Sequence, residues 1–143
     1  MFPCFDQPDI KANLDLTVTV PDGWKVVSNS QVEKQENQTF CFKTTPKIST
    51  YLYAIVAGPY DFFENKSEGF PDMRIYARKS LISHVNHEEM FKVTQTGIKF
   101  YEKLFGQPYP FGKYDQVFVP EHNYGAMENV GCVTYNEAYL FVG

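Results

Sequence analysis

The sequence has no run of about 18 apolar residues, and its start lacks the charged, apolar and small-residue succession of a secretory leader. As it stands, it reads as a chain with no membrane segment and no export signal. Basic runs are also missing. With 13 Lys and Arg against 17 Asp and Glu, for a net charge of -4, it offers no positive footprint for nucleic acid or an anionic membrane surface, and no nucleic-acid partner is expected. Cysteine is scarce. Cys4, Cys41 and Cys132 are odd in number and far apart, which suits buried reduced thiols better than a disulfide framework or a Cys-x-x-Cys metal site, and points to a reducing, cytoplasmic setting. A Gly-x-Ser-x-Gly elbow and a Gly-x-x-x-x-Gly-Lys-Ser/Thr phosphate loop are both absent, which removes support for serine-hydrolase and nucleotide-dependent chemistry. There is no internal repeat and no low-complexity segment.

Histidine is limited to His84, His87 and His122. His87-Glu88-Glu89-Met90-Phe91 begins like a His-Glu-x-x-His zinc helix, but Phe91 stands one helical turn on, where the second imidazole is needed. His84 and His87 suit a solvated or capping role at a helix start. His122 borders whatever Gly125 does, without the two partners a metal ligand requires.

What is present is apolar: 43% hydrophobic and 17% aromatic residues in 143 positions suffice for a globular core. Leu14, Leu16, Val18 and Val20 alternate with polar residues as a strand with one buried face, and Pro21-Asp22-Gly23 turns the chain. Trp24 to Ser28, a polar stretch from Asn29 to Gln38, and Thr39 to Thr44 continue in hairpin fashion. Tyr51 to Ala57 is apolar on both faces and reads as a central strand, extended by Tyr60 to Phe63. Glu64 to Pro71 is the linker candidate, dividing the chain into 1–64 and 65–143. Beyond it, Met73 to Ala77 reads as a strand. Phe91, Thr94, Ile98, Tyr101 and Phe105 recur at helical spacing between an Asn86/Glu89 cap and a Gly106 and Pro108 stop, which predicts a helix with its aromatic side on the strands. Gln116 to Val119, Cys132 to Tyr135 and Tyr139 to Phe141 read as further strands. The fold class expected is α+β, mostly β.

Between the first two of these last strands lies Gly125-Ala126-Met127-Glu128-Asn129, preceded by Tyr114 to Glu121 and followed by Val130-Gly131-Cys132-Val133-Thr134-Tyr135. With Phe2-Pro3-Cys4-Phe5-Asp6-Gln7-Pro8-Asp9 and Lys11-Ala12 near the start, the sequence resembles the zinc aminopeptidases of the aminopeptidase N type, gluzincin metallopeptidases, over essentially its whole length. The resemblance implies that 1–64 is the C-terminal portion of a saddle-like β-domain. It further implies that 65–143 is the opening sheet and helix of a thermolysin-like catalytic domain, the whole being a piece of a longer enzyme. It implies that the Glu128 carboxylate binds the terminal amine of a peptide substrate with a free N-terminus. In the same way the backbone around Gly125 and Ala126 pairs with the extended substrate, Met127 helps line the pocket for the first side chain, and Asn129 completes the substrate-binding motif. Asp6 and Lys11 would be structural.

The family's His-Glu-x-x-His with a later Glu is not in this sequence. No catalytic residue and no metal ligand is therefore expected among these positions. Zinc is expected in the complete enzyme, on residues beyond Gly143, and the isolated chain is expected to be inactive. The alternative is a non-catalytic peptide-binding or structural β-module from a truncated or divergent member.

Overall fold

The computed structural model describes residues 3–141, so Met1, Phe2 of the first motif, Val142 and Gly143 lie outside the described residues. In chain order the strands are β1 (Lys11–Ala12), β2 (Thr17–Thr19), β3 (Lys25–Ser28), β4 (Val32–Glu36), β5 (Thr39–Phe42), β6 (Ile48–Ser49), β7 (Ile55–Gly58), β8 (Tyr60–Asn65) and β9 (Asp72–Arg78). The helix α1 (His87–Phe105) follows, then β10 (Lys113–Val119), β11 (Ala126–Met127) and β12 (Cys132–Asn136).

The largest sheet has the order β11-β12-β10-β9-β8. Its three middle strands are parallel, and an antiparallel strand closes each edge. Parallel neighbours need a crossover, which α1 supplies between β9 and β10. The interior strand β9 is covered on both faces. On one, Met73, Ile75, Ala77 and Phe118 meet Val85, Phe91 and Ile98 from the helical side; on the other, Tyr76, Val117 and Cys132 meet Val27, Ala54 and Tyr60. Fully burying a Met or Ile of this kind contributes about 1.5–3 kcal/mol.

The short antiparallel pair β3-β7 thus backs the large sheet, because Val27 faces it. Val26 faces the other way and packs with Phe40 and Phe42 of the three-stranded sheet β2-β5-β4. Alternation along β3 therefore links three layers.

Several expectations hold. The Asn86 side chain caps α1 by accepting from the Glu89 N–H at 3.5 Å and donating to the Glu89 carboxylate at 2.8 Å. Gly106 ends the helix at φ 64°, in the left-handed region.

Others differ for identifiable reasons. Of the expected strand Tyr51 to Ala57, residues 55–57 alone are in a strand, as part of β7, which pairs with β3 alone; Thr50–Leu52 is a 3-10 turn. The cause is Asn29, whose side chain takes the backbone groups of Leu52 and Ala54 out of ladder pairing. Tyr139 to Phe141 belongs to a 3-10 turn, Glu137–Phe141, instead of a strand. There Asn136 Oδ1 accepts from the Ala138 N–H, and Arg78 grips Glu137 through two hydrogen bonds. Conversely, the polar stretch contains the fully exposed edge strand β4.

The aromatic side of α1 covers the sheet only in part. Phe91 and Ile98 are buried, whereas Tyr101 and Phe105 stack on each other, the latter 72% exposed. A 19-residue helix is about 28 Å long and a 7-residue strand about 23 Å, so the helix end overhangs. Of the three free thiols, Cys132 is buried, Cys41 half-buried and Cys4 exposed, so the expected burial holds for Cys132 alone. Residues 66–71, expected within a linker, connect β8 to β9, which are paired from Tyr60↔Arg78 to Asn65↔Met73.

Candidate functional site

The segment Gly125 to Asn129 forms one margin of the large sheet. Ala126 and Met127 are β11, paired with Tyr135 and Thr134 of β12 on one side only, so their other side is a free sheet edge among the described residues. The Gly125 carbonyl accepts from the Asn136 N–H at 2.9 Å, which extends this pairing by one residue. A Cβ on Gly125 would overlap the Tyr139 hydroxyl, so a larger residue here must displace the tip of that half-exposed side chain. Ala126 is exposed and Met127 half-buried. Glu128 is exposed, and its carboxylate has no hydrogen-bond or ion-pair partner among the described residues.

Asn129 is different in kind. It is 6% exposed, donates from Nδ2 to Thr134 Oγ1 at 3.4 Å, and its carbonyl accepts from the Cys132 N–H at 3.0 Å. Its role is to hold the loop that carries Glu128. Thr134 Oγ1 also pairs with His122 Nε2 at 3.1 Å, while His122 Nδ1 lies 2.8 Å from the Tyr124 carbonyl. The His122 carbonyl in turn accepts from Asn136 Nδ2 at 3.0 Å. His122 thus ties the incoming arm of the loop to β12. Glu121, just before it, adopts φ 51°, a left-handed backbone unusual for a residue with a side chain.

The outgoing arm is held from two directions. The Val130 carbonyl accepts from Asn29 Nδ2 at 2.8 Å, and the Gly131 carbonyl accepts from Lys113 Nζ at 2.7 Å and from the Asp115 N–H at 3.2 Å. Gly131 has φ 64°, and a Cβ there would collide with the Asn29 carbonyl, so no other residue fits this close approach. Lys113 also pairs with Asp115 at 2.7 Å, both side chains being buried. Burial outweighs the lysine's attraction and keeps the Asp115 carboxyl above its ordinary range. Burial likewise pushes the neighbouring Cys132 thiol up to about 12, which makes it inert as a nucleophile.

Beside β11 lies an open depression of about 810 Å³, walled by Gly125, Ala126, Tyr135 and Tyr139 on one side and by Met90, Val93 and Thr94 of α1 on the other. Met127 and Glu128 are not among its walls. The five residues of the motif are contiguous in space but differ in what they do. Gly125 and Ala126 border the groove, Glu128 stands exposed outside its walls, and Asn129 anchors from beneath. Asn29, Lys113 and Thr134 complete this support without standing out in the sequence, where a polar residue in a polar stretch carries no signal of burial.

The other histidines are engaged elsewhere. His87 stacks on Phe63 with ring centroids 3.7 Å apart and 8° between planes, and His84 lies 5.8 Å from the Phe141 ring. Among the described residues no group of three His, Cys, Asp or Glu side chains converges as a metal site.

Two family models match the sequence: the peptidase M1 N-terminal domain over residues 1–52, and the peptidase family M1 domain over residues 89–143. The chain is 42% identical to aminopeptidase N of Streptomyces lividans over 145 aligned residues, covering 99% of this chain and 17% of that protein. It is 36% identical to aminopeptidase N of Homo sapiens, covering 97% of this chain and 15% of that protein. With leucyl aminopeptidase of Saccharolobus solfataricus the identity is 39%, over 96% of this chain and 18% of that protein. The chain spans less than a fifth of the length of these relatives. With the two models matching in order and with relatives aligned from end to end of the sequence, the chain belongs to peptidase family M1 and is similar to aminopeptidase N.

Proposed function

We propose that this chain supplies the substrate-amine anchor and backbone rail of a zinc-dependent aminopeptidase that releases N-terminal residues from peptides. The observation that carries the reading is the Glu128 carboxylate, exposed and unpartnered among the described residues, directly after a strand whose outer edge is free. A peptide laid along β11 as an added strand finds backbone hydrogen-bonding groups there. Its terminal ammonium, with a pKa of about 8, is a cation that a fixed carboxylate at the end of the rail accepts, while a chain interior offers none. The zinc of such an enzyme is held by residues other than those described, and this chain's contribution is recognition and positioning.

The division into 1–64 and 65–143 is proposed on the same footing. The N-terminal-domain match ends at 52 and the M1-domain match begins at 89, with the hairpin β8-β9 carrying the large sheet across the junction.

An ammonium and a carboxylate about 4 Å apart attract by roughly 4 kcal/mol at an effective dielectric near 20, and desolvation leaves about 2–4 kcal/mol. Glu128→Ala in the full-length protein should therefore lower kcat/KM for free-amine peptides by roughly thirty-fold to a thousand-fold. N-acetylated peptides should be poor substrates that lose little further, and zinc content should not change. An equal loss on both substrate types, or an emptied metal site, ends the amine-anchor assignment. Stoichiometric capture of free-amine peptides by a full-length protein that turns nothing over would favour the non-catalytic binding module instead.

A further inference from the structure

We propose that Asn29 is a positioning residue for Glu128, acting across 101 positions of sequence through the Val130 carbonyl. This rests on the amine-anchor reading of Glu128. The hydrogen-bonding geometry of Asn29 is fully determined. Its amide group has two protons and one strongly accepting oxygen. The protons go to the Leu52 and Val130 carbonyls, each at 2.8 Å, and the oxygen accepts from the Ala54 N–H at 2.9 Å. A flipped amide would set its oxygen against two carbonyls, so only one orientation serves. Asn29 is 4% exposed, and water cannot replace the lost partners at low cost.

The loop it holds is short. Glu128 and Val130 are separated by one residue, Asn129, which is itself buried and bonded to Thr134. With Val130 fixed by Asn29, and Gly131 pressed against the Asn29 carbonyl and bonded to Lys113, little freedom remains for the backbone at Glu128. A carboxylate that must meet an ammonium at hydrogen-bonding distance loses much of its effect through a displacement of about 1 Å. Asn29 touches no substrate in this arrangement and acts only through the loop.

The test is a double-mutant cycle in the full-length protein, with Asn29→Ala, Glu128→Ala and their combination, read as kcat/KM on a free-amine peptide and on its N-acetylated counterpart. Asn29→Ala should lower the free-amine value about tenfold, chiefly through KM, and leave the acetylated value nearly unchanged. In the Glu128→Ala background it should cost less than twofold. Additive losses, or equal losses on both substrates, would mean that Asn29 supports the fold in general and would overturn the proposal. If Glu128→Ala alone left the preference for free amines intact, the failure would lie in the amine-anchor reading. Should Asn29→Ala not fold, Asn29→Ser introduces no buried charge and keeps a hydroxyl while losing the two amide donors, and the same non-additivity is expected of it.

Discussion

Lys113 is a cation almost without water. Its ammonium faces Asp115 and the Gly131 carbonyl, so removing it leaves the buried carboxylate with Arg74 as its remaining counter-charge. Lys113→Met should cost about 3–5 kcal/mol of stability, the range for breaking a buried pair on one side only. The pH dependence has a definite sign. Asp115 already titrates above its ordinary range because of burial. A raised carboxyl contributes stability that is present below its unfolded value and lost as pH rises through its folded value. Without Lys113 the folded value rises further, so denaturant melts should show a larger deficit for the variant near pH 8 than near pH 5. An equal deficit at both would mean that Asp115 does not carry the effect.

Among the elements, α1 follows most directly from local sequence. Asn86→Ala should destabilise by about 1 kcal/mol, read as a lower thermal midpoint, with Asn86→Asp losing less because an N-cap acceptor survives. No change for the alanine variant would place the start of the helix under tertiary control alone. Such caps are legible because they act within four residues, as is the alternation that marks β2, β5 and β9. The strand β4 is not legible. Its Val32, Glu33, Lys34, Gln35 and Glu36 are all exposed, and it is a strand because β5 offers it a ladder; no periodicity betrays that. Leu52 and Ala54 mislead for the opposite reason, being apolar residues whose backbone is claimed by a distant side chain. At the site, the five motif residues are legible as a contiguous unit. That Asn129 lies beneath while Glu128 stands free is not, since two adjacent polar residues look alike until the loop has a direction.

For the whole molecule, the layers α1, large sheet, β3-β7 and β2-β5-β4 leave one extended apolar surface. Phe100 and Leu104 lie on the outward side of α1, each 60% exposed, with Tyr101 and Phe105 beside them. Contiguous apolar surface of this kind on a small protein drives association. The isolated 143-residue chain should self-associate with rising concentration in sedimentation velocity, and Phe100→Glu with Leu104→Glu should reduce that association without altering its circular dichroism. A strictly monomeric wild-type chain would refute the expectation.

The bond from Asn29 to Val130 also has a bearing on time. Joining residues 101 apart costs on the order of 4 kcal/mol in chain entropy, and such a contact is rewarded only after both β systems exist to present its two ends. Synthesis delivers Asn29 first and Val130 about a hundred residues later. The loop bearing Glu128 therefore takes its final shape late in folding, and a nascent chain carries Asn29 long before it has the motif that Asn29 seats.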